Sequence, residues 1–561
     1  MDGKSGTVRP LLGIDFGTTT TLVTQRLAGG YSQIIPVGRS TPWMPSLIGL
    51  AGDGSLLYGE DAELVNADEM VRSVKRVITE RDRTPVRVAI PAGKPLEFNP
   101  DFLISRYLEE VIDRAGKAGA VIDGAVVRLG CPAIWDAEQR NRLVAIARDA
   151  CLEVRVSDIV DEPIAAGLAW LTGLRERGRA LPQGKLLVFD YGGGTLDVAV
   201  LDVDQQTHSA DPELTVMAAR GVPEAGDALD ETVAHALAED LEQLGADVRD
   251  LHKDESVRNL LLRAARQLKM LLSDTRHDTQ RVPLGDRFSG WPAAELSRDA
   301  LDEMFTPQLN RALEQVRAVL CAARLRREQI PDIKELASTR LEVLADDVSH
   351  VLLAGGMSQI PLVRRRITDL FPAAQVAYDE SLSAEESVGT GLVIPEGEYQ
   401  RLNLHRPGFD LVLRWRNSDG SPHEEKLYEA FTALYSDDQI MRREGNLAHE
   451  YRGLVPGLDR MTVAGLHAVS ADGDELEFDI DGDLAPCVPV RIARNTPLTF
   501  KLAVNGMLRI HEPDGRLLEF RINRWPVIRG RRPIVIRTPR ARQGYQPVVQ
   551  RYNDVYSHPW D

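Results

Sequence analysis

Asp15 and Asp190 occupy matching places in two stretches that read almost alike, Leu11–Leu27 (LLGIDFGTTTTLVTQRL) and Leu186–Val203 (LLVFDYGGGTLDVAVLDV). Each is an apolar run ending in the acid, then a tight Gly/Thr turn, then a second apolar run. Small turn residues let a backbone lie close against a ligand, and consecutive turn amides form a concavity suited to phosphate oxygens. A carboxylate beside such a turn can hold hydrated Mg²⁺, which keeps several waters and takes few protein carboxylates. Either stretch alone is also ordinary hairpin chemistry. Both together, with the acid in the same position, point to two related lobes and a nucleotide clamped between them.

The surrounding pattern supplies elements to hold such a site. Up to about Pro395 strands and helices alternate: LLVFDY, AVVRLGCPA and VSDIVDEP are strand-like, and Ala137–Ala150 has helical periodicity. Asp254 is placed to open a helix with Val257, Leu260, Leu261, Leu268, Leu271 and Leu272 on one face, and Ser297 opens another carrying Leu301, Leu309, Leu313, Val316 and Leu320. The polar stretch 324–349 reads as a surface excursion. The expected organisation is an α/β domain over 1–395 with a lobe boundary near 185, a linker over 396–407, a β-rich domain over 408–536 and a basic Pro/Arg tail over 537–561. The β assignment rests on short alternating runs separated by DG, NG and PDG turns. Within Arg532–Arg537 (RPIVIR), the PIVI core reads either as the last strand of that domain or as a tethered pseudo-substrate.

Composition narrows the function classes. With 561 residues, 43% hydrophobic and 27% charged, the chain must divide into several domains. A net charge of -17 argues against nucleic acid as the principal ligand. The first ten residues lack the apolar core of a secretory signal and no apolar run is long enough to span a bilayer, so a cytoplasmic protein without a membrane partner is expected. Cys131, Cys151, Cys321 and Cys487 are widely spaced and read as buried, reduced thiols. There is no GxxxxGK[ST] loop and no HExxH helix.

Taken together the motifs resemble those of the seventy-kilodalton heat-shock chaperones, the DnaK family. GIDFGTTTT is similar to the family's first phosphate segment, VFDYGGGTLDVAVL to its second and VLLAGGMSQIPLVRRRI to its adenosine segment; GCPAIWDAEQRNRL and IVDEPIAAGLAW match the stretches framing its interlobe hinge. The resemblance covers roughly residues 10–395 and implies a two-lobed actin-like ATPase domain of duplicated ribonuclease-H-like lobes, followed by a sandwich-like β domain. It implies ATP or ADP with Mg²⁺ as cofactors. Gly17, Thr18, Thr19, Thr20, Gly192, Gly193, Gly194 and Thr195 would hold phosphates; Asp15, Glu162 and Asp190 would face the metal, mostly through water. Lys75 in MVRSVKRVIT would position the attacking water. Gly226, Lys269, Met270, Gly355, Gly356, Met357, Gln359 and Gly391 would surround the nucleoside, and Pro132 and Arg140 would belong to the relay that reports lobe rotation.

Departures from the family pattern lie at the adenosine. Where the family has a glutamate, a lysine and an arginine on one helix, this chain has Arg266, Lys269 and Met270, and in the adenosine loop a serine and an arginine become Met357 and Gln359. Losing the base-stacking arginine removes a cation–π contact, so weaker nucleotide binding is expected. The acidic, leucine-rich interdomain linker is replaced by VIPEGEYQRLNLHRPG, and too little chain follows the β domain for a full helical lid. The expected function is an ATP-hydrolysing, chaperone-like protein, expected as a monomer, whose β domain holds a peptide, an unfolded protein or a dedicated client, with J-domain or nucleotide-exchange co-chaperones as further partners. The alternatives are a slow nucleotide-gated scaffold for one partner and a filament-forming actin-like ATPase.

Overall fold

The structure, a computed structural model, describes residues 9–538 apart from 66–68, 91–93, 205–212, 247–254, 275, 285–289, 326–335, 337, 378–385, 396–399, 436–438, 440–446, 456–457, 527 and 529–532. Asp254, residues 326–335 and 337 of the 324–349 excursion, and the tail beyond 538 therefore lie outside the described residues. The chain divides into two compact units, one of 1–407 with 431–445 and one of 408–430 with 446–561.

The first unit contains the same sheet twice. In the first sheet Leu11–Phe16 pairs antiparallel with Thr20–Arg26, which pairs antiparallel with Ser32–Ile35; on its other side Leu11–Phe16 runs parallel to Val126–Cys131, itself parallel to Ile159–Asp161. In the second, Gly184–Tyr191 pairs antiparallel with Leu196–Asp204 and that strand with Glu213–Val222, while Gly184–Tyr191 runs parallel to Val348–Ala354, itself parallel to Gln375–Ala377. The central strands are buried on both faces, which explains their continuous apolar runs. Gln400–Asn403 adds a parallel edge strand to the second sheet, so part of the segment expected to be a linker belongs to the lobe.

Helix starts follow the chemistry of their first turns. Asp136 and Gln139 form a reciprocal capping box at the start of Ala137–Asp149, and Ser297 accepts the Ala300 amide at the start of Arg298–Arg324. Glu255–Ser273 has the expected apolar face, although Leu271 is partly exposed, at 38%. Helix Glu162–Glu176 packs Ile164, Ala165, Leu168 and Leu171 into the core of the second lobe. Among the described residues no helix is long and apolar enough to cross a membrane.

The second unit is β throughout its described residues. One sheet has Phe409–Arg416 at its centre between Pro422–Tyr428 and Thr462–Ser470; the other runs Ala448–Leu454, Pro497–Ala503, Met507–His511, Leu517–Arg524, Ile534–Arg537, Phe478–Ile480, Asp483–Ala485. Ile534–Arg537 lies inside that sheet, antiparallel to Leu517–Arg524 and parallel to Phe478–Ile480, with Ile534 and Ile536 fully buried. PIVI is thus a structural strand, and its β-branched residues fill the core rather than a peptide groove.

Candidate active site

The two Gly/Thr turns adopt the same local structure. The Gly17 amide donates to the Thr20 carbonyl at 3.0 Å, and the Gly192 amide donates to the Thr195 carbonyl at 3.0 Å. The turns meet tip to tip: a Cβ added to Gly193 would lie 2.0 Å from Thr19 Oγ1, and one added to Gly194 would lie 2.4 Å from Thr18 Oγ1. Glycine is required at both by this approach. Thr19 Oγ1 is buried with no hydrogen-bond partner among the described residues. A buried hydroxyl of this kind calls for a ligand acceptor. Helix Gly226–Gln243 starts against the second turn, with the Asp227 amide donating to the Gly193 carbonyl at 2.7 Å.

Beneath the turns lies a buried charged cluster. Asp15 and Asp190, each the last but one residue of its strand, lie near Glu162, the first residue of its helix, and Lys75 ion-pairs with Glu162. Lys75 is 2% exposed. Burial alone would lower its pKa, but Glu162 and Asp15 outweigh that and hold the ammonium above its ordinary value. Burial first, then repulsion from Glu162, pushes Asp15 up to about 7. Asp190 is raised well above its ordinary value by burial and by Glu162, Asp197 and Asp15 in turn. A site that opposes ionisation of its carboxylates in this way is short of positive charge, and a divalent cation would supply it. No group of three or more acidic, His or Cys side chains converges as direct metal ligands among the described residues.

A cavity of about 240 Å³ opens beside the turns, lined by Thr19, Thr20, Gly192, Gly193 and Gly226 together with Lys269, Met270, Gly356, Met357 and Gln359. Lys269 is anchored by the Asp230 carboxylate at 2.6 Å and donates to the Gly226 carbonyl at 3.1 Å. Met270 is 64% exposed at the rim. Gly17 shapes its turn without lining the cavity, Thr195 hydrogen-bonds Asp197, and Gly355 sits at the strand end against Tyr191 and Asp190, where a Cβ would come within 2.5 Å of the Asp190 carboxylate. Gly391 is elsewhere. It lies on helix Ser387–Leu392, where a Cβ would be 1.8 Å from the Ala165 carbonyl, so its small size serves helix packing and not nucleoside contact.

Several residues of the site escaped the sequence reading. Asp197 is 1% exposed, accepts the Ala133 amide at 2.6 Å and is pushed up to about 8 by burial and then by Glu162. Its place directly opposite Asp190 in the strand pairing was the available signal. Trp43, Asp227, Asp230, Ser273 and Ile360 also line the cavity, beside Arg266, which the sequence places at the adenosine. Ser73 of the first lobe donates to Asp227 of the second at 3.0 Å, closing the cleft near Lys75. Arg140 is 1% exposed, ion-paired with Asp161, and donates through Nε to the Trp135 carbonyl at 3.1 Å.

Two copies of one sheet, facing each other across interleaved Gly/Thr turns above a buried acidic cluster, define a two-lobed actin-like ATPase domain, here followed by a β domain. A family model described as Hsp70 protein matches residues 11–397, and the chain belongs to the Hsp70 family. It is 26% identical over 422 residues to a protein named Chaperone protein DnaK of Thermosipho africanus (strain TCF52B), covering 72% of this chain and 61% of that one. It is 27% identical over 391 residues to the protein of that name from Thermotoga neapolitana, covering 68% and 58%. A third, from Trichormus variabilis, is 28% identical over 416 residues, covering 69% and 55%. The chain thus matches about three fifths of the length of these relatives. Members of the Hsp70 family are ATPases that bind ATP or ADP with Mg²⁺.

Proposed function

We propose that this chain binds and hydrolyses ATP in the cleft between its two lobes and uses the nucleotide state to control binding of a peptide or protein client by its β domain. The observation that carries the reading is the pair of interleaved turns with the orphaned Thr19 hydroxyl directly above the Lys75–Glu162 pair. Turn amides and the Thr18, Thr19 and Thr20 hydroxyls would hold phosphate oxygens. Asp15, Glu162 and Asp190 would hold Mg²⁺ through water, and the bound metal would neutralise charge developing on the transferred phosphoryl group. Lys75, kept protonated by its acidic neighbours, would orient the attacking water. Such preorganised charge stabilises phosphoryl transfer without covalent chemistry.

The client is an extended peptide, an unfolded chain or one dedicated protein, with co-chaperones acting on the ATPase domain. Coupling requires that the two nucleotide states differ in client affinity. Steady-state ATPase measured with and without a reduced, unfolded protein tests the reading: turnover that is Mg²⁺-dependent and changes with client is expected. Turnover without any client response favours a nucleotide-gated scaffold, and absence of turnover and of nucleotide binding refutes both.

A further inference from the structure

Residues 431–445 are flanked in sequence by the strands Pro422–Tyr428 and Ala448–Leu454 of the second unit, yet they belong to the first. Within them, residues 431–435 are fastened to the chain around Pro407. The Phe431 amide donates to the Pro407 carbonyl at 2.9 Å and the Leu434 amide to the His405 carbonyl at 3.2 Å, while the His405 and Tyr435 rings meet at 4.9 Å. Phe431 itself has φ of +64°, a left-handed conformation that a bulky residue adopts only when its surroundings impose it. That conformation delivers its ring, 2% exposed, to 4.6 Å from the Arg140 guanidinium.

Arg140 stands one step from the chemistry. It pairs with Asp161, which directly precedes Glu162 in the chain, and Glu162 holds Lys75. Its Nε bonds the Trp135 carbonyl, which Arg406 also bonds, at 2.8 Å; the Trp135 ring in turn lies 5.6 Å from Lys75 Nζ. The strap therefore reaches the catalytic pair by two routes, through Phe431 to Arg140 and Asp161, and through Arg406 to Trp135.

Resting on the ATPase reading above, we propose that Phe431 is a positioning residue for hydrolysis: its ring fixes the Arg140 guanidinium, and so the Asp161–Glu162 backbone that places the carboxylate against Lys75. A buried ring over a guanidinium contributes on the order of a tenfold effect in an equilibrium. In the full chain, Phe431→Leu keeps apolar volume and removes the π face. It should lower kcat about ten-fold while the ADP dissociation constant stays unchanged, and Phe431→Tyr should restore kcat. Leu434→Ala, a fully buried residue of the same strap, is the control for general loosening: it should lower the melting temperature with kcat retained. Wild-type kcat in Phe431→Leu overturns the proposal, as does an equal fall in kcat in both variants. In either case a wild-type protein that hydrolyses ATP leaves the functional reading standing, whereas a wild type that neither binds nor hydrolyses nucleotide overturns both.

Discussion

Removal of Lys75 separates its structural role from its chemical one. The pair it forms with Glu162 is enclosed, with side-chain exposures of 3% and 12%. Lys75→Met retains the aliphatic stem but leaves Glu162 facing Asp15 and Asp190 with no counter-charge. Breaking a buried pair from one side costs about 3 kcal/mol, the low end of the usual range because Glu162 keeps some contact with solvent. Replacing both partners, Lys75→Met with Glu162→Gln, removes the stranded charge, so the double variant should recover to within about 1 kcal/mol of the wild type. Turnover should not recover, since loss of one preorganised charge at phosphoryl transfer lowers kcat by about 10²–10³. Urea unfolding followed by circular dichroism gives the stabilities, and single-turnover hydrolysis at saturating Mg-ATP gives the rates. Wild-type turnover in Lys75→Met refutes the chemical role. A double variant no more stable than the single refutes the reasoning about buried charge.

Three further outcomes are expected. Met270→Arg places a guanidinium at the cavity rim and should tighten ADP binding by about 0.5 to 1 kcal/mol, the range for exposed cation–π contacts; calorimetry showing no gain would place the base away from residue 270. Truncation before Ile534 removes an interior strand with two buried isoleucines, so the β unit should lose its cooperative melt, whereas truncation after Thr538 should leave it unchanged. His467 is held below its ordinary pKa by burial and then by Arg414; the unfolded chain therefore takes up the proton more readily, and stability present above about pH 6.5 is lost as pH falls through the folded-state value. Melts between pH 7.5 and 5 should show this decline, and His467→Gln should make it shallower.

The duplicated turns were legible because they need small residues and an acid at fixed spacing, and the sheets that carry them repeat with the same pairing. The charged cluster was legible only in part. Asp15, Glu162 and Asp190 stand in recognisable motifs, but Asp197 sits within an apolar strand and becomes part of the site only through its pairing with Asp190. Lys75 caps a four-residue helix, so nothing in its local periodicity announces that it is buried. Gly391 and the nucleoside-side glycines look alike in sequence, since the need for a missing Cβ is the same whether the neighbour is a ligand or the Ala165 carbonyl. The segment 431–435 escaped notice because it interrupts a β pattern and takes its place through contacts distant in sequence, with Pro407, His405 and Arg140.

The central claim is that the two interleaved turns form a phosphate cradle, and Gly193→Val tests it most directly. Even a Cβ at residue 193 would lie 2.0 Å from Thr19 Oγ1, so the β-branched side chain must drive the turns apart. Calorimetric titration with Mg-ADP should give one site per chain in the wild type and no measurable binding in Gly193→Val, with the melt of the β unit unchanged. Equal Mg-ADP affinity in the two proteins would contradict the account.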